Sequence, residues 1–162
     1  MTLSVEELRI KRIIDLYGDS LFRLACTYLR NEADAQEVVQ DTLIRLLRYD
    51  PDFADEGKEK AWLMKTTANL SRNRLRFNKV RAAEELDERF AGEEKEDLSF
   101  VCDAVTSLPV RYRETVHLFY HEGLSTKEIA TVLGRSEAAV RKDLSRARQK
   151  LKELLKEAYD FE

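Results

Sequence analysis

The fold of the carboxy-terminal half of the chain is determined largely by residues 124–151, which read LSTKEIATVLGRSEAAVRKDLSRARQKL. Apolar residues recur at helical spacing on both sides of Gly134. A helix-turn-helix needs a small residue where the helices cross, then a residue that tolerates a left-handed turn, then an apolar residue that points back. Ala130, Gly134 and Val140 stand at those positions. The stretch therefore predicts a helix-turn-helix.

The second predicted helix has two distinct faces. At about 100° per residue, the expected buried stripe consists of Val140, Leu144, Ala147 and Leu151. The opposite face carries short or cationic side chains, as expected for a helix in the major groove of DNA. Its members are Ala138, Lys142, Ser145 and Gln149, flanked by Arg141 and Arg146. Ser125 and Ser136 are predicted N-caps of the two helices, and an αα-hairpin without a DNA role is the alternative.

A second cationic face is predicted on a long helix over residues 58–79. Its apolar side is expected to include Leu63, Leu70 and Phe77. Its polar side carries a series at helical spacing, with Trp62 and Asn73 beside it: Lys65, Asn69, Arg72 and Arg76. Cations neutralise phosphates, while an amide and an aromatic ring can hydrogen-bond or stack with unpaired bases. Trp62 alone is more often a core residue, but the combination favours nucleic acid.

A third face is acidic. Asn31 is a predicted N-cap of a helix that runs to about Arg48. Three carboxylates recur on one side of this helix, with Gln36 and Gln40 at the margins: Asp34, Glu37 and Asp41. Because aligned carboxylates repel DNA, this side is expected to face either solvent or a basic protein partner.

The remaining sequence extends the helical pattern to most of the chain. Residues 10–29 form one amphipathic track with a possible break at Gly18, residues 51–57 form a loop, and residues 84–98 are a polar linker. Alternating runs flanked by turn residues, which would indicate strands, are missing from the sequence. We therefore predict an all-α fold with further breaks near Pro109 and Gly123, and the length suits one ordinary domain or two small helical domains.

The net charge hides an uneven distribution. The chain of 162 residues has 28 Lys or Arg and 31 Asp or Glu, a formal charge of −3. Residues 1–80 carry +1, residues 81–100 carry −5 and residues 101–162 carry +1. Two cationic helices joined by an acidic tether indicate two contacts with a polyanion. Two solvated helix faces are the alternative on charge alone.

Other classes of protein have little support in the sequence. Cys26 and Cys102 are too few for a disulfide framework and are expected to be buried thiols in a reducing cytoplasm. No apolar run is long enough for a membrane helix. His117, His121 and Glu122 lack an HExxH pattern, and no phosphate-binding glycine loop or GxSxG is present. We expect no metal, no cofactor and no enzymatic activity.

The three surfaces, in this order, resemble the extracytoplasmic-function class of bacterial sigma factors over nearly the whole chain. YGDSLFRLACTYLRNEADAQEVVQDTLIRLLRY is similar to the first half of sigma region 2, which docks on RNA polymerase. AWLMKTTANLSRNRLR resembles the part of region 2 that melts and reads the −10 promoter element. SLPVRYRETVHLFYHEGLSTKEIATVLGRSEAAVRKDLSRARQKL resembles region 4, which reads the −35 element.

The resemblance implies roles for individual residues. The implied polymerase-docking residues are Asp34, Glu37, Gln40 and Asp41. The implied −10 contacts are Phe53, which would hold a flipped base, and Trp62, Lys65, Asn69, Arg72, Asn73 and Arg76. The implied −35 contacts are Ser125, Thr126, Lys127, Arg135, Ser136, Ala138, Arg141, Lys142, Ser145 and Arg146.

Some positions depart from the family pattern. Asp143 stands where many members have a basic residue, which argues against a phosphate contact there. The loop DFADEGKEK is acidic through Asp52, Asp55 and Glu56, so its base preference is not transferable. Ala138 and Ala139 replace a common Gly-Thr pair.

The resemblance also implies partners and a division of the chain. We expect region 2 at residues 1–80, an acidic flexible linker at residues 81–98 and region 4 at residues 99–162. The implied partners are the β′ and β subunits of core RNA polymerase, promoter DNA and an anti-sigma factor, with a cytoplasmic monomer as the free state. A free-standing helix-turn-helix regulator and a helical adaptor that binds only protein are the competing hypotheses.

Overall fold

The computed structural model describes residues 2–84 and 105–159. Within these two ranges the regular elements are all helical and no strand occurs. The prediction of an all-α fold is confirmed. The chain divides into two compact units, one built mainly from the first three helices and the other mainly from the last three. Most of the predicted linker, residues 85–98, and Cys102 lie outside the described residues.

The amino-terminal unit contains α1 (Val5–Leu29), α2 (Glu32–Tyr49) and α3 (Glu56–Glu84). Local side chains determine where the first two begin. Ser4 and Glu7 form a capping box, in which each side chain accepts a hydrogen bond from the other residue's backbone N–H (3.1 and 2.8 Å). Asn31 Oδ1 accepts from the N–H of Asp34 at 3.0 Å, which confirms the predicted N-cap of α2.

The core of this unit is an apolar stripe on each helix. Burying each of these large side chains contributes about 1.5–3 kcal/mol relative to leaving it in water. Fully buried members include Ile13, Leu21, Leu24, Tyr28, Leu46, Leu63 and Met64. Thr42 Oγ1 donates to the carbonyl of Val38 (2.9 Å), and its oxygen lies 3.0 Å from Thr67 Oγ1 on α3. This buried polar contact sets the rotation of α3 against α2.

Two details of this unit differ from the sequence-based prediction. Helix α1 is unbroken at Gly18, because a glycine inside a long amphipathic helix costs only about 1 kcal/mol and the buried stripe continues on both sides. Helix α3 extends to Glu84 instead of ending near Lys79, so the first four residues of the predicted linker are helical. Residues 81–84 include two alanines, the strongest helix formers.

Phe77 was predicted on the apolar side of α3, and that prediction is wrong. Its side chain is exposed, whereas the buried side of α3 runs through Leu63, Thr67 and Ser71. The buried stripe of α3 is therefore polar towards its carboxy-terminal end, which apolar periodicity alone does not reveal.

The carboxy-terminal unit contains α4 (Val110–Val116), α5 (Thr126–Leu133) and α6 (Glu137–Tyr159). A π-helical turn, His117–His121, continues α4. The predicted breaks are confirmed: Pro109 precedes α4, and Gly123 and Gly134 have positive φ angles of 71° and 69°.

A small apolar cluster joins α4 to α6. Leu108, Val116 and Ala147 form its buried centre, with Tyr112 and Leu151 packed against it. Buried Arg113 donates to the carbonyls of Thr106 and Leu108, at 3.1 Å each. These hydrogen bonds hold the chain that enters α4 against the helix, and Leu108 of this chain belongs to the cluster that contacts α6.

Candidate nucleic-acid and protein interfaces

Helices α5 and α6 form the predicted helix-turn-helix. Ser125 Oγ accepts from the N–H of Glu128, and Ser136 Oγ accepts from the N–H of Ala139, at 3.1 Å each. Both predicted N-caps are confirmed. Thr126 Oγ1 donates to Glu137 Oε2 at 2.7 Å, which ties the start of α5 to the start of α6. The left-handed residue between the helices is Gly134, as predicted.

The two predicted faces of α6 are present. Val140, Leu144 and Ala147 are buried and Leu151 is partly buried. On the other side the side chains are exposed, including Ala138, Arg141, Lys142, Ser145, Arg146 and Gln149. Arg141 pairs with Glu137 at 2.9 Å one turn earlier, an exposed contact that is easily exchanged for another anion. An apolar back and a cationic front are what insertion of a helix into a groove requires.

Asp143 lies within a network of guanidinium groups. Its carboxylate, with 3% of the side chain exposed, accepts from Arg111 Nε (3.0 and 3.1 Å) and from Arg135 Nη1 (3.1 Å). Arg135 also pairs with buried Glu114 and contacts the hydroxyl of Thr115. A buried carboxylate is tolerated when it is paired and hydrogen-bonded in this way.

Arg135, in the turn before α6, is consequently unlike the predicted −35 contacts on α6 itself. Its side chain is 15% exposed and its guanidinium bonds to groups inside the unit, whereas Lys142 and Arg146 are exposed. Lys127 is also exposed, on the first turn of α5. The inward orientation of Arg135 is not evident from local sequence, because the carboxylates that hold it come from α4 and α6.

The cationic face of α3 is exposed along most of its length. Lys65, Asn69, Asn73 and Arg76 are exposed and Arg72 is half-buried. Asn69 Oδ1 accepts from Arg72 Nη1 at 2.9 Å, which aligns the amide and the guanidinium along the helix. The structure therefore brings the predicted −10 residues of this helix onto one surface.

Two residues of the loop before α3, Phe53 and Asp55, are held by contacts with α3. Phe53 and Trp62 are half-buried, with ring centroids 6.0 Å apart and planes at 61°, an edge-to-face pair. Asp55 Oδ1 accepts from the N–H of Lys58 at 2.9 Å and so caps the start of α3. The acidic residue at this position thus has a local structural role, and the loop places Phe53 beside the cationic face.

Arg74 joins the acidic face of α2 to α3. Its Nη2 lies 2.7 Å from Asp34 Oδ1 and its Nη1 lies 2.7 Å from Glu37 Oε1. Hydrogen bonding to Glu37, helped by the charge of Asp34, raises the pKa of Arg74 despite partial burial. Gln40 and Asp41 remain exposed on the same helix. The predicted docking residues thus share one surface, but Asp34 is partly covered, with 17% of its side chain exposed.

Sequence reasoning missed Arg74, although a signal was present. At helical spacing Arg74 follows Thr67 and Ser71 on the buried side of α3. A cation on a buried stripe requires a carboxylate partner, and the aligned acids of α2 were the obvious source.

Glu59 is a second buried carboxylate, near the start of α3. It accepts from both terminal nitrogens of Arg12 (3.0 and 3.1 Å) and from the hydroxyl of Tyr17 (3.1 Å). The hydrogen bonds from Arg12 hold the pKa of the Glu59 carboxyl below its ordinary value, although burial acts in the opposite direction. This cluster attaches the amino-terminal end of α3 to α1 and so supports the loop that carries Phe53.

The candidate metal residues form a ring stack. His117 and His121 have centroids 4.9 Å apart and planes at 12°, and Glu122 Oε2 lies 3.2 Å from His117 Nε2. Across residues 2–84 and 105–159, no group of three or more His, Cys, Asp or Glu is arranged to hold a metal ion.

Half-buried Cys26 has a thiol whose pKa is raised by desolvation. In the same ranges no helix is long and apolar enough to cross a bilayer.

Comparison with known proteins yields two matches to family models. Residues 13–81 match the model described as Sigma-70 region 2, and residues 103–151 match the model described as Sigma-70, region 4. The first match contains α2, which carries the acidic face, and the part of α3 that carries the cationic face. The second contains the helix-turn-helix.

Curated relatives are RNA polymerase sigma factors. CnrH of Cupriavidus metallidurans, named RNA polymerase sigma factor, is 32% identical over 162 aligned positions that cover 89% of this chain and 85% of the relative. Three other relatives are longer, and the chain spans 41%, 60% and 59% of their length.

Solved structures of sigma factors have a similar fold. CnrH in complex with the cytosolic domain of CnrY has a TM-score of 0.67 and 29% identity, covering 90% of this chain and 86% of the other. The sigma factor RpoE of Bartonella quintana, in complex with the anti-sigma factor NepR, has a TM-score of 0.74 at 22% identity, covering 91% and 97%.

Proposed function

We propose that this chain, which belongs to the extracytoplasmic-function class of the sigma-70 family, binds core RNA polymerase. It directs the polymerase to promoters with −10 and −35 elements. It then promotes opening of the duplex and performs no chemistry of its own. One observation carries the proposal: α3 and α6, which lie in the segments that match the two sigma models, each present an exposed cationic face. Two such faces suit two contacts with one polyanion.

The upstream contact belongs to α6. Its outward residues, Lys142, Ser145 and Arg146, are exposed opposite the buried stripe, so they can approach base edges and phosphates together. Ser136 caps the amino-terminal end of α6 and fixes the direction in which the helix leaves the turn. Lys127 is exposed on α5, where a phosphate contact is expected. For Arg135, the bonds to Asp143 and Glu114 support a positioning role instead of a DNA contact.

The downstream contact belongs to α3 and the loop before it. Lys65, Arg72 and Arg76 supply positive charge to the backbone of the separated strands. Asn69 and Asn73 supply amide donors and acceptors for unpaired bases. Phe53 and Trp62 form an aromatic corner beside them, and a base turned out of the duplex can stack against such a corner.

The acidic face of α2 is the proposed docking surface for core polymerase, through the β′ subunit. Glu37, Gln40 and Asp41 are exposed and carry the interaction with a basic partner surface. Asp34 acts mainly through Arg74, which holds α2 and α3 in a fixed relation. We also propose that the chain contacts the β subunit.

The domain boundaries and the regulation complete the proposal. Region 2 occupies residues 1–80, an acidic linker residues 81–98 and region 4 residues 99–162. The two solved relatives were each determined with a bound partner, NepR, described as an anti-sigma factor, and the cytosolic domain of CnrY. We infer that an anti-sigma factor holds this chain inactive in the cytoplasm.

Run-off transcription tests the function. Purified chain and core enzyme should initiate at defined positions on genomic fragments, whereas core enzyme alone should not. Replacing Lys142 and Arg146 together by alanine should reduce initiation at the same positions. Complete absence of promoter-specific initiation on every genomic template would refute the proposal, and tight binding of the free chain to a palindromic duplex would favour a helix-turn-helix regulator.

A further inference from the structure

A concave surface lies beside the start of α6. Its volume is about 500 Å³, and its lining includes Arg111 from α4 together with Ser136, Ala138, Lys142, Asp143 and Arg146 from α6 and the turn before it. Arg111 was absent from the residues for which the sequence predicted a DNA contact. It is the cation on this surface that comes from outside the helix-turn-helix.

Arg111 is held by one edge of its guanidinium. Its Nε donates to both oxygens of Asp143, at 3.1 and 3.0 Å. A guanidinium has further N–H donors on its terminal nitrogens, and 55% of the Arg111 side chain is exposed. The ion pair with Asp143 therefore fixes the direction of the side chain while its terminal N–H groups stay available to a ligand.

Asp143 does not make this surface repel anions. Its carboxylate is 3% exposed and is paired with two guanidinium groups, those of Arg111 and Arg135. The accessible charges around the hollow are those of Arg111, Lys142 and Arg146, all positive. The start of α6 adds the positive end of a helix dipole. The surface is thus cationic although an acidic residue stands at its centre.

We propose that Arg111 binds a backbone phosphate of the duplex whose groove α6 enters, and that Asp143 is the positioning residue that orients it. The ligand is a DNA phosphodiester, which a guanidinium binds through two parallel N–H···O bonds. The inference rests on the proposed function of α6. It also explains how a recognition helix with an acid at position 143 keeps a backbone contact: the cation is supplied from α4.

The competing explanation is that Arg111 only neutralises a buried acid. A pair of variants separates the two roles. Arg111→Ala removes the proposed contact but leaves Asp143 paired with Arg135 alone. Arg111→Ala combined with Asp143→Asn removes the contact and the acid together. If Arg111 only balances charge, the double variant regains wild-type DNA affinity. If Arg111 binds phosphate, the double variant stays as weak as the single one.

The measurement is binding of holoenzyme, assembled from core enzyme and full-length chain, to a promoter duplex mapped from transcript 5′ ends. Arg111→Ala should weaken binding about tenfold, as for loss of a charged hydrogen bond, and should reduce the salt slope by about 0.9, as for loss of one phosphate contact. Lys152→Ala removes one exposed cation of α6 that does not line the hollow, and it should leave both values near wild type.

Substitution of single phosphates by neutral methylphosphonate identifies the contact. At one upstream position the substitution should weaken the wild type but leave the affinity of Arg111→Ala unchanged. Equal sensitivity of both proteins at every position overturns the inference. If Lys142→Ala and Arg146→Ala weaken binding while Arg111→Ala does not, only the inference on Arg111 fails. If none of the three has any effect, the proposed role of α6 fails with it.

Discussion

Arg74 connects two surfaces that we assign to different partners. Its guanidinium bridges Asp34 and Glu37 on α2, while its neighbours Asn73 and Arg76 are exposed on α3. A charge change at Asp34 would therefore disturb the packing of α2 on α3 as well as any docking contact. Asp41 lies on the same acidic helix and is exposed, and its charge contributes less to the raised pKa of Arg74 than those of Asp34 and Glu37. It is the cleaner position for testing the docking face.

Asp41→Lys should weaken binding of the chain to core RNA polymerase about tenfold or more, because reversing a charge in a complementary interface replaces attraction by repulsion. Fluorescence titration of labelled chain with core enzyme at moderate salt measures the affinity. Asp19→Lys is the matched control, since it makes the same charge change at an exposed position on α1. Equal affinities of wild type and Asp41→Lys would reject this face as the docking surface.

Glu59 gives a pH-dependent prediction. The hydrogen bonds from Arg12 lower the pKa of Glu59 in the folded state, whereas the pKa of a glutamate in the unfolded chain is about 4.3. The carboxylate therefore stabilises the fold above that pH, and this contribution is lost as the pH falls through the folded pKa. Glu59→Gln should lower the free energy of unfolding by about 1–3 kcal/mol at neutral pH, and the difference from wild type should shrink below about pH 4.

Denaturant unfolding monitored by amide exchange in α1 and α3 measures this effect. Glu56→Gln is the control, because Glu56 is 77% exposed and lies 3.7 Å from the same arginine. It should change stability by less than about 0.5 kcal/mol. A constant difference between Glu59→Gln and wild type from neutral to acidic pH would contradict the assigned role of the carboxylate.

At the scale of the element, the turn between α5 and α6 depends on one backbone conformation. Gly134 has φ of 69°, and a Cβ added there would have no atom within 4 Å. The cost of Gly134→Ala is therefore backbone strain alone, about 1–2 kcal/mol. Gly134→Asn should cost less, because asparagine tolerates the left-handed region.

Amide exchange of α5 and α6 in the three proteins measures that cost. Gly18→Ala provides the opposite case: the glycine is helical, and an added Cβ would meet Ile14 at an ordinary 3.4 Å. It should stabilise α1 by about 0.5–1 kcal/mol. If Gly134→Ala were as stable as wild type, the tight turn would not be what fixes α6 beside α5.

The elements that the sequence predicted are those determined by local chemistry. The N-caps at Asn31, Ser125 and Ser136, the turn at Gly134 and the two faces of α6 follow from residues within a few positions of each other. Arg111 and Arg135 were not predicted as partners of Asp143, because those contacts join residues 8 to 32 positions apart. The exposure of Phe77 depends likewise on packing that periodicity does not encode.

The net charge of the chain is close to zero because the charges of its segments cancel. The net charge of −3 combines segments of +1, −5 and +1. Ion pairs within the chain neutralise further positive charge, since Arg74 and Arg135 bond to carboxylates within their own units. The cations that we propose to bind DNA are the exposed ones on α3, α4, α5 and α6. Each face alone provides only a few phosphate contacts, and the charge of −5 on residues 81–100 offsets the positive charge of the rest of the chain.

The free chain should therefore bind duplex DNA weakly, and core polymerase should be required for specific binding. We expect a dissociation constant for free chain and promoter duplex in the non-specific range, about 10⁻⁴–10⁻⁶ M at physiological salt, with random DNA bound equally well. Adding core enzyme should create a preference for the promoter, because both faces then engage one duplex and their free energies add. Electrophoretic mobility shift with promoter and scrambled duplexes, with and without core enzyme, measures the affinity of the free chain and the promoter preference of the assembled holoenzyme. Strong promoter preference by the free chain would contradict this dependence, since a regulator that acts alone recognises its site without polymerase.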